Sequence, residues 1–248
     1  YAYDADNRPT SVSNGLSAKT YTYDSLGRVT TEVTGYNGAS VLTESYTFRC
    51  SPISTLYTST QVATNRLQAA GYDVTYTYTY DGNGNILSIS DGTNTTTYAY
   101  DSANQLIREN NEAAGFTHVW TYDSAGNILS RTEYDHTTGE LGTAPTATIS
   151  YTYEGDLLTA YNGESIFYRM GNPLFSDTWT YVWEHGRELM SMFDGEDAWE
   201  FTYDANGMRT SRTEYFTGCT YTYVYNGGNL SQMTVGNNTL YFAYDDTG

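Results

Sequence analysis

Tyr78-Thr79-Tyr80-Asp81-Gly82-Asn83-Gly84-Asn85-Ile86-Leu87-Ser88 decides the fold of this chain. Alternating Tyr and Thr puts both tyrosines on one face of a strand and the threonines on the other. Both residue types favour strands. Asp81 is placed to open a turn, its carboxylate accepting from a backbone N–H two residues on. Gly84 tolerates the left-handed conformation that follows a type I turn in short hairpin loops. Ile86 then begins a returning strand. The stretch predicts strand, tight turn, strand.

Working outward, the same unit recurs along the whole chain. Near-strict copies begin at Tyr1-Ala2-Tyr3-Asp4, Tyr21-Thr22-Tyr23-Asp24 (with Gly27) and Tyr98-Ala99-Tyr100-Asp101. Three more lead with Trp or Phe: Trp120-Thr121-Tyr122-Asp123 (with Gly126), Phe201-Thr202-Tyr203-Asp204 (with Gly207) and Phe242-Ala243-Tyr244-Asp245. At this composition chance would supply roughly 0.3 matches to aromatic-x-Tyr-Asp, against the seven present, so the repeat is real. Degenerate copies stand at Tyr46-Thr47-Phe48-Arg49, Tyr151-Thr152-Tyr153-Glu154, Tyr181-Val182-Trp183-Glu184 and Tyr223-Val224-Tyr225-Asn226. The array amounts to about 11 repeats spaced 19 to 32 residues apart, the long steps being read as insertions in a connecting loop. Period-two alternation and a Gly in each unit argue against helix. The fold class expected is all-β: antiparallel hairpin repeats in one long curved or spiralling sheet, with a single array over residues 1–248. Neighbouring hairpins supply the pairing that one hairpin lacks, and tyrosines are expected to stack across strands as ladders worth roughly 0.2–1 kcal/mol per pair.

Composition narrows the partners. The net charge is −18 and Lys19 is the only lysine. Such a surface excludes nucleic acid, whose phosphates need Lys and Arg, and opposes anionic lipid. There is no apolar run near 18 residues, so no membrane-inserting helix is expected. The chain opens inside one repeat and closes inside another, as a segment of a longer protein would. Abundant Tyr, Thr, Ser, Asn and Gly suggest a secreted or cell-surface β protein. Cys50 and Cys219 stand far apart with no metal or redox spacing, and are read as two ordinary core thiols or a long-range disulfide.

Tyr-x-Tyr-Asp-x-x-Gly followed by Arg or Asn and an aliphatic residue resembles the tyrosine-aspartate (YD) repeats of Rhs proteins. Asp24-Ser25-Leu26-Gly27-Arg28-Val29 and Asp123-Ser124-Ala125-Gly126-Asn127-Ile128 carry the resemblance best; the stretches around 49, 154 and 184 depart from it. The same repeats occur in insecticidal toxin-complex C subunits, wall-associated proteins and teneurins. The resemblance implies hairpins wound into a hollow shell. In the toxin branch that shell encloses a C-terminal effector or cargo domain; in the cell-surface branch it serves adhesion. The Asp-Pro-rich closing segment of such shells has no counterpart, since no Asp-Pro occurs here.

No catalytic constellation, cofactor site or metal site is expected. His118, His136 and His185 are far apart in sequence, and Asp194, Glu196 and Asp197 read as a solvated turn. Asp81-Gly82-Asn83-Gly84-Asn85 opens like a calcium loop, but its twelfth position is Gly92. Trp179, Trp183 and Trp199 form the densest aromatic region, either packed in the sheet or, if exposed, a stacking surface for glycan. Three functional readings follow: a non-enzymatic shell segment around a C-terminal toxin, an adhesion module for surface glycan or protein, and self-association through open sheet edges near Tyr1 and Tyr244.

Overall fold

The computed structural model describes residues 1–13, 15–51, 54–176 and 178–242. It is all-β, and no helix occurs among the described residues. The chain divides into two compact units, Tyr1–Thr148 and Ile149–Gly248. In the first, β1 (Ala2–Tyr3), β2 (Pro9–Ser13), β3 (Ser17–Tyr23), β4 (Val29–Tyr36), β5 (Ala39–Ser51), β6 (Ser54–Ala69), β7 (Tyr72–Tyr80), β8 (Ile86–Ser90), β9 (Thr95–Tyr100), β10 (Leu106–Asn111), β11 (Phe116–Tyr122) and β12 (Ile128–Asp135) neighbour one another in chain order, antiparallel throughout. The second begins within β13 (Ala147–Glu154), which pairs with β14 (Leu157–Tyr161) and through it with β15 (Glu164–Ser165). A nine-stranded sheet follows in chain order: β16 (Phe167–Arg169), β17 (Asn172–Ser176), β18 (Trp179–Glu184), β19 (Glu188–Phe193), β20 (Ala198–Tyr203), β21 (Arg209–Glu214), β22 (Thr220–Asn226), β23 (Asn229–Val235) and β24 (Asn238–Tyr241). From Ala243 onward the copy Phe242-Ala243-Tyr244-Asp245 lies outside the described residues, and with it the sheet edge expected at Tyr244.

The turn after each of the six described motifs that keep the aspartate is one construction repeated. Asp81 Oδ1 accepts from the N–H of Asn83 and of Asn85, both at 2.9 Å, and the N–H of Asp81 donates to the Asn85 carbonyl at 3.0 Å. Asp4, Asp24, Asp101, Asp123 and Asp204 make the same pair of carboxylate contacts. The third residue on from each Asp has positive φ: Gly84 at 94° and Gly126 at 92°, with Asn7 and Asn104 replacing Gly at 63°. Where Arg or Asn occupies the fourth place, its side chain returns to Oδ2: Arg8 and Arg28 through Nε at 2.7 Å, Asn85 and Asn127 at 2.9 Å.

Immediately before the turn the register slips. Thr79 pairs with Ser88 but Tyr80 pairs with Ile86, leaving Leu87 as an extra residue. The same slip falls before Tyr23, Tyr100, Tyr122, Tyr203, and the degenerate Phe48, Tyr153, Trp183 and Tyr225. Pairing to the next unit stops short of this point. The β8–β9 ladder ends at Ser88, two residues before Ile86. The Ile86 carbonyl instead accepts from the Tyr100 hydroxyl at 2.9 Å. Tyr23 does this to Pro9 at 2.7 Å, Tyr80 to Val62 at 2.8 Å, Tyr122 to Leu106 at 2.6 Å and Tyr203 to Leu189 at 3.0 Å. Each acceptor is the residue paired with the second aromatic of the preceding unit. Trp183 follows the rule with a different donor, its Nε1–H reaching the Pro173 carbonyl at 2.6 Å.

Two expectations are corrected here. Motif aromatics do not stack on one another across adjacent strands, because the motif occupies alternate strands, roughly 9.5 Å apart. The strands between them put Glu32 beside Tyr21, Ile89 beside Tyr78, Glu109 beside Tyr98, Arg131 beside Trp120 and Arg212 beside Phe201. Tyr151 against Tyr161 (ring centroids 5.4 Å apart) joins a motif ring to a ring on the returning strand. Nor are the long steps all loop insertions. The 32-residue step after Arg49 is absorbed by long strands β6 and β7, and the step after Glu154 by the additional strands β15, β16 and β17. Only the step after Asp123 is an inserted loop, residues 136–146. Antiparallel strands lengthen in register without disturbing their neighbours, so length need not be expelled into loops.

Tyr122→Phe removes one donor and leaves the Leu106 carbonyl without it. It should lower stability by about 1–2 kcal/mol in urea titration, whereas Tyr36→Phe, at an exposed ring, should be silent. Gly126→Ala forces an L-residue to φ 92° and should cost about 1–2 kcal/mol.

Candidate functional surface

The strands present two chemically distinct faces. Along β7, Tyr76, Tyr78 and Tyr80 are half-buried while Thr75, Thr77 and Thr79 are exposed; β13 and β22 alternate likewise. Burial raises the pKa of the Tyr80, Tyr100 and Tyr122 phenols, which keeps the bridging hydroxyls protonated. Cations cover rings on this face. Arg28 lies 4.0 Å from the Phe48 centroid, Arg8 4.7 Å from Tyr23, and Arg209 4.4 Å from Phe201. Arg212 is shared by Trp199 at 4.7 Å and Tyr221 at 4.3 Å.

The threonine face carries hydroxyl pairs: Thr47 with Thr64 and Thr79 with Ser88, each at 2.6 Å, and Thr121 with Ser130 at 2.7 Å. The 136–146 loop folds over it. Thr117 is fully buried beneath the loop, donating to the Thr137 carbonyl at 3.1 Å and accepting from its N–H at 3.0 Å. Arg108 donates to the carbonyls of Thr137 and Gly139 at 2.7 and 2.9 Å, and to Asn110 Oδ1 at 2.7 Å. This polar anchor was not legible in the sequence, because nothing local to Arg108 marks its partners about 30 residues on.

The residues singled out for chemistry resolve individually. His118 sits in a rung between Glu109 and Glu133 on the flanking strands, its Nε2 3.0 Å from Glu133 Oε2. The His118 hydrogen bond holds the Glu133 carboxyl below its usual range. Asp194 Oδ1 accepts from the N–H of Glu196 and Asp197 at 2.9 and 2.7 Å, closing a four-residue turn. No cluster of His, Cys, Asp and Glu suited to a metal ion occurs among the described residues. Both cysteines are free; Cys50 is exposed rather than in a core, and Cys219 is half-buried. Trp179, Trp183 and Trp199 are all half-buried: Trp179 opens β18, Trp183 serves as the bridging aromatic, and Trp199 lies under Arg212. The spacing of Tyr181-Val182-Trp183-Glu184 is the sequence signal for the Trp183 role.

The aspartates that close the turns are ionised structural groups. Hydrogen bonds from Arg28, Asn85 and Asn127 side chains and from backbone N–H groups hold Asp24, Asp81 and Asp123 below the ordinary value of 3.8. Such depression stabilises the fold above the unfolded value and is lost as pH falls through the lower folded values. Thermal stability should therefore fall on acidification below about pH 4, and the triple variant Asp24→Asn, Asp81→Asn, Asp123→Asn should start lower at pH 7 yet lose less between pH 4 and 2.

The sequence profile of the RHS Repeat matches residues 3–39 and 80–117. Among curated proteins no sequence matches. Among solved structures, the TcdB2-TccC3-Cdc42 crystal structure is similar at TM-score 0.54 and 14% identity over 100% of this chain. TcdB2-TccC3-TEV is similar at 0.54 and 13% over 94%. The Photorhabdus luminescens Tc holotoxin pore is similar at 0.52 and 14% over 94%. The chain spans only 14–15% of the length of those chains, and at this identity the likeness is one of fold.

Proposed function

Because the chain belongs to the Rhs/YD-repeat family, we propose that this structural repeat segment is part of the wall of a large bacterial secreted or surface protein, in which the β-shell encloses or presents a C-terminal toxin or effector domain. Both units carry the same motif and are read as one repeat array. The wall itself is non-enzymatic: its carboxylates cap turns, its hydroxyls bridge units, and most of its cations are committed to rings.

The observation that carries this reading is the near absence of a core. A compact protein of 27.6 kDa exposes about 11,000 Å². This chain exposes 15797 Å², and its only buried apolar residues among those described are Val12 and Phe201. Sheets with so little packed against them are suited to separating two spaces, and the half-buried tyrosine face is suited to lie against enclosed chain.

A second reading, adhesion, draws on the exposed rings of Phe193, Tyr215 and Phe216 at hairpin ends. On a glycan array, binding that is lost in Phe193→Ala and Tyr215→Ala favours adhesion; no binding leaves the wall reading in place. The wall reading is tested by limited proteolysis of the full-length parent protein. The C-terminal domain should resist digestion until the repeats are cut; digestion at the rate of the isolated domain refutes enclosure.

A further inference from the structure

The end of the β19–β20 hairpin holds a groove of about 390 Å³ that the wall does not require. Phe193, Trp199, Tyr215 and Phe216 line it, together with Asp197 and Glu200. Three of these rings are markedly exposed: Phe193 by 45%, Tyr215 by 63% and Phe216 by 64%. The backbone that carries them is nevertheless held in place. The Tyr215 N–H donates to the Ala198 carbonyl at 2.8 Å, extending the β20–β21 ladder past its last paired residue. The Gly218 N–H donates to the Glu214 carbonyl at 2.9 Å, closing the turn that carries Phe216. The Tyr215 and Phe216 rings meet edge to face at 5.6 Å. The Asp194–Asp197 turn across from them is fixed by the Asp194 carboxylate. Rigid exposed rings lose little entropy on binding, which is why such anchors dominate recognition surfaces.

The charge around the rings selects the occupant. Asp197 and Glu200 are exposed, and neither has a salt-bridge partner among the described residues. Asp194 and Glu196 belong to the same turn. No Lys or Arg is among the residues that line the groove, and Arg212 on the neighbouring strand is committed to the rings of Trp199 and Tyr221. Aromatic walls with unpaired carboxylates attract a cation borne on an apolar stem: the ring faces take the cation and the stem, the carboxylates take the charge. A free anion is repelled. A neutral sugar gains from the rings but nothing from two uncompensated charges.

We propose that this groove binds an extended peptide segment carrying arginine or lysine between apolar residues. The acidic charge beside these rings then has a specific recipient.

The test uses the 248-residue chain and a dye-labelled peptide of alternating arginine and leucine, followed by fluorescence anisotropy. Phe216→Ser should weaken binding about five- to tenfold. The pair Asp197→Asn with Glu200→Gln should do the same. The pair Asp156→Asn with Glu164→Gln, which removes equal charge at exposed sites in other hairpins, should change nothing. All of these positions are exposed, and unchanged thermal melts certify that the variants fold. Equal weakening by both charge pairs, with Phe216→Ser silent, would mean diffuse attraction to an acidic chain and overturn the proposal. So would equal binding of a glutamate-leucine peptide. Binding of a neutral oligosaccharide that Phe216→Ser abolishes, with no peptide binding, would reassign the groove to glycan.

Discussion

The repeat array depends on a hydrogen bond that is not part of any backbone ladder. Each hairpin slips register just before its tight turn, and the strands of successive hairpins part there. A carbonyl is left facing the next unit with no N–H opposite. The tyrosine hydroxyl of that next unit supplies the donor, as Tyr100 does for Ile86 and Tyr122 for Leu106. This explains why the second motif position tolerates Trp183, whose indole N–H reaches equally far, and why phenylalanine there is an exception. At Phe48 the ring offers no donor, and Arg28 from the preceding turn crosses over it to contact Thr58 and Ser59. The bridge lies on the half-buried face, where a neutral donor is worth most and a burial-raised phenol keeps its proton.

The same geometry distributes charge. Motif aromatics occupy every second strand, so the space between their rings is filled from the returning strands. Arginine fills it well because its guanidinium is flat and keeps its charge. Of the chain's 11 cationic side chains, Arg8, Lys19, Arg28, Arg49, Arg209 and Arg212 all lie over rings. The carboxylates are divided between the turns, as at Asp24 and Asp81, and the aromatic face, where Glu32 and Glu109 stand beside Tyr21 and Tyr98.

How much of this was legible follows from how local each interaction is. Tyr-Thr alternation, the Asp that caps its own turn and the glycine at positive φ act within five or six residues, and a sequence read once discloses them. The hydroxyl bridge spans 14 to 18 residues and involves a backbone carbonyl, so no side chain at Ile86 or Leu106 advertises it. Tyrosines of successive motifs do not stack because a returning strand without the motif, such as β8, separates them. The Arg108–Thr117–Thr137 anchor and the Phe193–Phe216 groove were hidden for another reason: they join turns and loops whose sequences follow no repeat.

That contrast divides the two ends of the hairpins. At one end the turns after Asp4, Asp24, Asp81, Asp101, Asp123 and Asp204 are the same five-residue construction, each saturated by its own aspartate, while the units that lack the aspartate turn by other routes, as at Glu154–Leu157 and Asn226–Asn229. At the other end the connections range from Asn37-Gly38 through the four-residue Asp194 turn to the 136–146 loop. Nothing in the bridging scheme constrains them, and the one inserted loop, the loop over Thr117, lies there. Stability comes from the uniform end as a sum of neighbour terms. Individuality, including an aromatic groove rimmed with unpaired carboxylates, is confined to the end whose loss would not open the wall.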